Sequence, residues 1–159
     1  MNDSTADTFI RRFGYAFEAG PGYPAIAHRT DHLAPLTPVC INGPGGPLEM
    51  TPLDQDHGFS RSLGFRVGCV GYSNDLVGMP EQSFAALANL DLWIVDALRE
   101  RPHPTHASVS QALDWITRLK PKRSVLTNMH IDLDYAALQA RLPAGVEPAY
   151  DGWTVELAI

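Results

Sequence analysis

The sequence predicts a layered α/β fold, chiefly because strand and helix patterns alternate through its second half. The runs "DLWIVDA" at 91–97 and "RSVLTNM" at 123–129 are short and apolar, which is typical of buried strands. Between them, "SVSQALDWITRLK" places its apolar residues on one face of a helix. Strand, helix and strand in this order are typical of a sheet with parallel strands, whose functional side chains lie at strand ends.

Turn residues and caps predict the remaining elements. "LEMTPL" at 48–53 alternates as a strand does, and "SLGFRVGCVGYS" at 62–73 predicts two short strands that meet near Gly68. Pro80 favours the first position of a helix that continues through "EQSFAALANL". The stretch "NGPGGP" at 42–47 predicts a turn or loop, because glycine and proline interrupt regular structure.

Three further predictions concern the ends of later elements. Ser108 and Gln111 have the spacing of a capping box at the start of a helix. Asp134 is the expected N-cap of a short helix in "DYAALQARL". The segment "GVEPAYDGWTVEL" predicts a turn at Asp151 and Gly152, followed by a final strand.

Composition restricts the classes of function. The 159 residues suit one domain, and 45% of them are hydrophobic, which is enough for a core. Only 19% are charged, the net charge is -6 and no basic stripe occurs, so we expect no binding to a nucleic-acid backbone. Two isolated cysteines, a polar N-terminus and the lack of a long apolar run predict a cytoplasmic protein that does not bind membranes.

Three predicted apolar strands are each followed by a side chain that commonly binds metals. His57 lies at the end of the segment "TPLDQDHG", Asp75 at the end of "VGYSND" and His130 at the end of "VLTNMH". Two imidazoles and one carboxylate suit a divalent cation such as zinc. A single histidine or aspartate at a strand end is more often structural or solvated, so the hypothesis depends on all three lying together.

The segment "RPHPTHAS" at 101–108 is the other candidate. Pro102 and Pro104 make a helix unfavourable there, so His103 and His106 are expected in a loop. A histidine held in such a loop can donate a proton to a leaving group, because imidazole titrates near neutral pH. An exposed loop whose histidines have no function explains the spacing equally well.

Several segments together resemble the second half of metallo-β-lactamase-fold hydrolases. They are "TPLDQDHG", "LGFRVG", "YSNDLVGMPEQSF", "LDLWIVDALRERPHPTHASVSQAL", "SVLTNMHIDLDY" and "LPAGVEPAYDGWTVEL". The branch that these segments resemble contains the phosphoribosyl 1,2-cyclic phosphate phosphodiesterases. The resemblance implies a four-layer αββα sandwich with two divalent metal ions, manganese or zinc or also iron, held in part by His57, Asp75 and His130. It also implies that His106 is the general acid, while Asp132 and Asp134 orient His130 or cap the next helix.

One departure from the family pattern is important. The family carries a His-x-His-x-Asp-His string in its first half, and these 159 residues contain none. We therefore expect residues 1–159 to form a single partial domain that corresponds to the C-terminal part of the sandwich. Each metal would then take one histidine plus the shared Asp75 from this chain, and the sheet would expose an apolar face.

The resemblance implies hydrolysis of a small phosphodiester, such as a cyclic one, by a hydroxide that two metals activate. A homodimer is expected by analogy with relatives. Two alternatives stay open. The chain could be a truncated, inactive fragment or an α/β domain that depends on a partner, or it could be a plain α/β binding domain.

Overall fold

The computed structural model describes residues 3–28 and 33–157 and divides the chain into two compact units. The first unit, Met1–Ala34, contains helix α1 (Asp3–Phe13), followed by a 3-10 turn at Gly14–Ala16. Aromatic side chains cluster along it, because Phe9 lies 5.0 Å from Phe13 and 5.8 Å from Phe17 between ring centroids. The prediction of a single partial domain is not tested by this division and stays a prediction.

The second unit, Pro35–Ile159, consists of a seven-stranded sheet and three helices. In chain order they are β1 (Val39–Gly43), β2 (Gly46–Asp56), β3 (Arg61–Val67), β4 (Val70–Ser73), α2 (Glu81–Ala86), β5 (Leu92–Asp96), α3 (Val109–Leu119), β6 (Arg123–Thr127), α4 (Tyr135–Arg141) and β7 (Val146–Pro148). The strands keep their chain order across the sheet. The predicted α/β fold class is confirmed.

Strand direction explains why one edge of the sheet collects the polar side chains. Strands β1 to β4 are antiparallel neighbours, whereas β4 to β7 are parallel. Because β3 is antiparallel to both of its neighbours, β2 runs in the same direction as β4. The carboxyl ends of β2, β4, β5 and β6 therefore lie at the same edge.

The core lies on the face of the sheet that the helices cover. Trp93 and Val95 of β5 point to this face and pack in one cluster with Leu126 of β6, Ile116 of α3 and Leu138 of α4. The buried indole of Trp93 also donates a 3.0 Å hydrogen bond to the hydroxyl of Ser73. Burial of large apolar side chains is the main stabilising contribution here.

The opposite face of the sheet carries a cross-strand row of apolar residues. Phe65, Tyr72, Ile94 and Val125 are successive register partners on β3, β4, β5 and β6. Tyr72 is 42% exposed, although Val125 is buried. The expectation that the sheet exposes an apolar face stays a prediction.

Two predictions about helix ends need correction. The helix after Pro80 covers only Glu81–Ala86, because Leu87 already leaves helical geometry. Ser108 caps α3 by accepting a hydrogen bond from the Gln111 backbone, as predicted. The Gln111 side chain, however, donates to the carbonyl of Val77 at 2.7 Å instead of completing the capping box.

The ends of the sheet also differ from the sequence prediction. The final strand was expected after the turn at Asp151 and Gly152, but β7 lies before that turn and no strand forms between 153 and 157. The "NGPGGP" stretch contains the predicted turn, at residues 44 and 45, but its flanking residues belong to the β1–β2 hairpin, since Gly43 pairs with Gly46. Asp134 caps α4 as predicted, accepting from the Ala137 backbone at 2.8 Å.

In the part of the chain that the structure describes, no helix is long and apolar enough to cross a membrane.

Candidate metal centre

Four polar side chains meet at the edge where β2, β4 and β5 end. His57 follows β2, Asp75 follows β4, and Asp96 is the last residue of β5. His106 reaches the same place from the loop after β5, which contains no regular helix, as its prolines predicted. The site therefore combines side chains from three strand ends and one loop.

Asp75, Asp96 and His106 form the tightest group. One ligand atom of each lies within 4.8 Å of the others, and no other group of three histidines, cysteines or acids among residues 3–28 and 33–157 is this compact. The His106 Nδ1 atom is 2.7 Å from Asp96 Oδ2 and 3.9 Å from Asp75 Oδ1. His106 is mostly buried, whereas the Asp75 side chain is 53% exposed.

The protonation of His106 follows from its short contact with Asp96. A carboxylate only accepts hydrogen bonds, so Nδ1 carries the proton and donates it to Asp96. The Nε2 atom of His106 is thereby left for a substrate. Asp96 is fully buried and also accepts from the Leu76 backbone N–H and the Asn128 amide, each at 3.3 Å.

Burial dominates the electrostatics of Asp96. Desolvation raises the pKa of its carboxyl above the usual range, while the hydrogen bonds from His106, Leu76 and Asn128 oppose that rise. The polar contacts thus compensate in part for placing a carboxylate in the interior. This pair of Asp96 and His106 is the arrangement by which a carboxylate orients a histidine and stabilises its cationic form.

His57 is oriented as metal-binding histidines commonly are. Its Nδ1 atom lies 2.8 Å from the carbonyl oxygen of Thr105 and must therefore donate to it, which leaves the lone pair of Nε2 for a ligand. Its ring centroid is 4.9 Å from that of His106. Gly58 permits the close approach of the loop that carries Pro104 and Thr105, since a Cβ at this position would lie 2.5 Å from the Pro104 carbonyl oxygen.

His130 lies outside the compact group. Its backbone N–H donates to the Leu98 carbonyl at 2.8 Å, and its side chain is 47% exposed. Its Nδ1 atom accepts from the Asp132 backbone N–H at 3.3 Å and lies 3.2 Å from a carboxylate oxygen of the same residue. The expectation that Asp132 orients His130 stays a prediction. The ligand roles of His57, Asp75 and His130 stay predictions.

Backbone strain coincides with this edge of the sheet. Asp75 and Asn128 both have left-handed backbones, with φ of 56° and 59°, although neither is glycine. Residues with a Cβ rarely adopt this conformation, and they often do so at functional sites.

His103 flanks His106 at 5.2 Å between ring centroids. Its Nδ1 accepts from the Thr105 backbone N–H at 3.4 Å, so a neutral ring carries its proton on Nε2. Desolvation lowers the pKa of His103, and the positive charge of Arg99 adds to that effect.

Sequence reasoning missed Asp96 and Asn128. Asp96 ends the apolar run "LWIVD" just as Asp75 follows "VGYSN", so the rule that selected Asp75 would also have selected Asp96. No simple signal marks Asn128, whose role depends on its left-handed backbone and on the position of Asp96.

Comparison with known proteins identifies the family. The model of the beta-lactamase superfamily domain matches residues 2–131. The chain therefore belongs to the beta-lactamase superfamily, and the expected metallo-β-lactamase fold is confirmed.

Individual relatives agree with this assignment. A solved diphosphatase of the PhnP family is 28% identical with a TM-score of 0.83, and the match covers 99% of this chain and 57% of that one. Zinc-bound PqqB from Methylobacterium extorquens is 16% identical with a TM-score of 0.59, over 80% of this chain and 55% of that one. An octanoyltransferase from Porphyromonas gingivalis is 28% identical over 154 residues, which are 92% of this chain and 29% of the relative. The chain thus spans little more than half of the diphosphatase and less than a third of the transferase.

Proposed function

We propose that this chain provides part of the active site of a metal-dependent hydrolase that cleaves a phosphodiester. The observation that carries the proposal is the buried Asp96–His106 pair, which lies beside the potential metal ligands His57 and Asp75 at one edge of the sheet. An acid–base pair next to metal ligands can supply both the proton and the activated water that phosphodiester hydrolysis uses.

The donor set fits divalent metal ions. His57 presents an unprotonated Nε2, Asp75 presents an exposed carboxylate, and His130 presents an exposed imidazole. Neutral imidazole and carboxylate suit manganese or zinc, and also iron. We assign His57, Asp75 and His130 as ligands of two such ions. When bound, these ions supply an activated water and positive charge that stabilises the transition state.

The residues of the chain move the proton to the leaving group. In its cationic form, His106 donates the proton of Nε2 to the leaving oxygen as the bond between phosphorus and that oxygen breaks. Asp96 accepts from Nδ1 throughout and stabilises the positive charge that His106 carries before the transfer. Asn128 donates to the other oxygen of Asp96 and so limits its rotation. Water supplies the new oxygen on phosphorus.

The substrate class rests on resemblance. The likeness to a diphosphatase supports phosphoryl chemistry, and the resemblance to cyclic phosphodiesterases favours a small cyclic phosphodiester. We do not extend the transferase reaction to this chain, since the match covers only 29% of that relative.

The test compares two leaving groups in the presence of Mn²⁺ or Zn²⁺. A p-nitrophenolate leaves without a proton, whereas an alkoxide needs one. We expect His106→Ala to slow release of an alkoxide by about 100-fold to 10,000-fold and release of p-nitrophenolate far less. His28→Ala, which changes an exposed histidine, is the control. Equal losses for both leaving groups would contradict the acid role of His106.

The partly exposed apolar row that includes Tyr72 favours a second candidate, a domain that is active only with a partner chain, including a second copy of itself. Measurement of hydrolysis across a range of protein concentrations separates the candidates. Specific activity that rises with concentration indicates self-association, and constant specific activity indicates that a single chain suffices.

A further inference from the structure

We infer that Gln55 and Ser62 are positioning residues that hold Asp75 in its left-handed conformation and thereby direct its carboxylate toward the metal ions. This inference rests on the proposed function, because it assigns a purpose to the Asp75 backbone. Neither residue is one of the proposed metal ligands or a member of the Asp96–His106 pair, so neither is assigned a catalytic role.

The conformation of Asp75 needs an explanation. Its φ of 56° is unfavourable for a residue with a Cβ, and β4 ends only two residues earlier, at Ser73. Such a conformation persists only when surrounding contacts fix it. The contacts must therefore act on the backbone near Asp75, where the chain turns.

Two side chains make those contacts. The Ser62 hydroxyl donates to the Asp75 carbonyl at 2.6 Å, and the Gln55 amide nitrogen donates to the Asn74 carbonyl at 2.8 Å. The same nitrogen donates to the Ser62 hydroxyl oxygen at 3.1 Å. Two consecutive carbonyl groups of the turn are thus held by one connected hydrogen-bond network.

The sheet itself places this network. Gln55 and Ser62 are register partners on the antiparallel strands β2 and β3, so their side chains lie side by side. Strand β3 pairs in turn with β4, which leads into the turn at Asp75. The position of the two side chains therefore depends on the most regular part of the fold.

Burying the Gln55 side chain reduces the stability of the fold, which indicates that its amide nitrogen has a role. Its side chain is fully buried, and Oε1 receives no hydrogen bond from the described residues. Gly64 makes room for it, because a Cβ there would lie 2.3 Å from Oε1. A leucine would fill similar space without a buried, unpaired oxygen. What leucine could not do is donate to the Asn74 carbonyl and Ser62.

The turn also serves the acid–base pair. The next residue, Leu76, donates its backbone N–H to Asp96 Oδ2 at 3.3 Å. If the turn relaxed, this donor and the Asp75 carboxylate would both move. The network of Gln55 and Ser62 therefore positions groups on both sides of the site.

Ser62→Ala tests the inference, with Ser83→Ala as the matched control. Ser83 also lies against β2, and its hydroxyl donates to the Asp54 carbonyl at 2.8 Å, so each variant removes one serine hydroxyl bond to a backbone carbonyl. Two measurements are made on the full chain. Nuclear magnetic resonance of the metal-free protein gives the backbone conformation of Asp75 through its three-bond HN–Hα coupling and Cβ shift. Calorimetric titration gives the dissociation constant for Zn²⁺.

We expect Asp75 to leave the left-handed region in Ser62→Ala, and Zn²⁺ binding to weaken by about 10-fold or more, the range for groups that orient ligands. Ser83→Ala should leave both unchanged. If Asp75 keeps its left-handed backbone in Ser62→Ala, the inference is overturned. Loss of the left-handed conformation of Asp75 with unchanged Zn²⁺ affinity also overturns the inference. If the unmodified chain binds no Zn²⁺, the proposed function fails, while the resonance data still decide whether Ser62 holds the turn.

Discussion

Gly58→Ala should disturb both the stability of the chain and the orientation of His57. Gly58 has φ of 71°, and a Cβ there would lie 2.5 Å from the Pro104 carbonyl oxygen and 2.9 Å from the Thr105 methyl carbon. The left-handed conformation alone costs a residue with a Cβ roughly 1–2 kcal/mol. Forcing an extra carbon into this packed contact adds about 1–3 kcal/mol. Together they reduce the free energy of unfolding by about 2–5 kcal/mol.

The steric clash in Gly58→Ala should also change the geometry of the candidate metal centre. Pro104 meets the new carbon with backbone atoms, so no change of rotamer relieves the clash and the loop at 101–108 has to shift. That shift moves the Thr105 carbonyl, which accepts the hydrogen bond from His57. Zn²⁺ binding should therefore weaken along with the stability.

Gly152→Ala separates the two contributions. Gly152 has φ of 87°, but among the described residues, its two chain neighbours aside, no heavy atom lies within 4 Å of the position of its Cβ. The free energy of unfolding lost in Gly152→Ala should be the conformational cost alone, roughly 1–2 kcal/mol. Denaturant unfolding followed by circular dichroism measures both variants. Equal losses of stability in Gly58→Ala and Gly152→Ala would refute the steric reasoning.

Three further changes have defined outcomes. Burial raises the folded pKa of Asp96 above 3.8, so its contribution to stability is greatest at low pH and is lost as the pH rises through the raised pKa. Asp96→Asn should therefore gain stability relative to the unmodified chain as the pH rises above 3.8 through the raised pKa, as denaturant unfolding at each pH would show, and a constant difference would contradict it. Trp93→Phe removes the donor to the buried Ser73 hydroxyl and should cost about 1–3 kcal/mol, whereas Trp153→Phe, which changes a half-buried ring, should cost less in the same assay. His130→Ala should abolish metal-dependent hydrolysis, and full retained activity would remove His130 from the ligand set.

The sequence predicted those parts of the fold and site that depend on local patterns. Strands β2 to β6 follow apolar runs, and the caps at Ser108 and Asp134 follow side chains with a strong local preference. The approach of His57 and Asp75 could be expected because both follow strands that run in the same direction.

What the sequence did not predict depends on contacts between distant residues. The pairing of Asp96 with His106 depends on a loop without regular structure, whose path is set by contacts such as that of Thr105 with His57. The left-handed conformation of Asp75 depends on Ser62 on another strand. The position of β7 before the turn at 151–152 depends on its pairing with β6, which local preference does not encode.

Zinc binding to the purified chain tests the central claim most directly. We would titrate Zn²⁺ into the unmodified chain, His57→Ala and Asp75→Asn, with Asp114→Asn as a control on an exposed carboxylate of α3. We expect saturable binding that weakens by about 10-fold or more in the first two variants and is unchanged in the control. Absent binding, or binding that His57→Ala and Asp75→Asn leave unchanged, would contradict it.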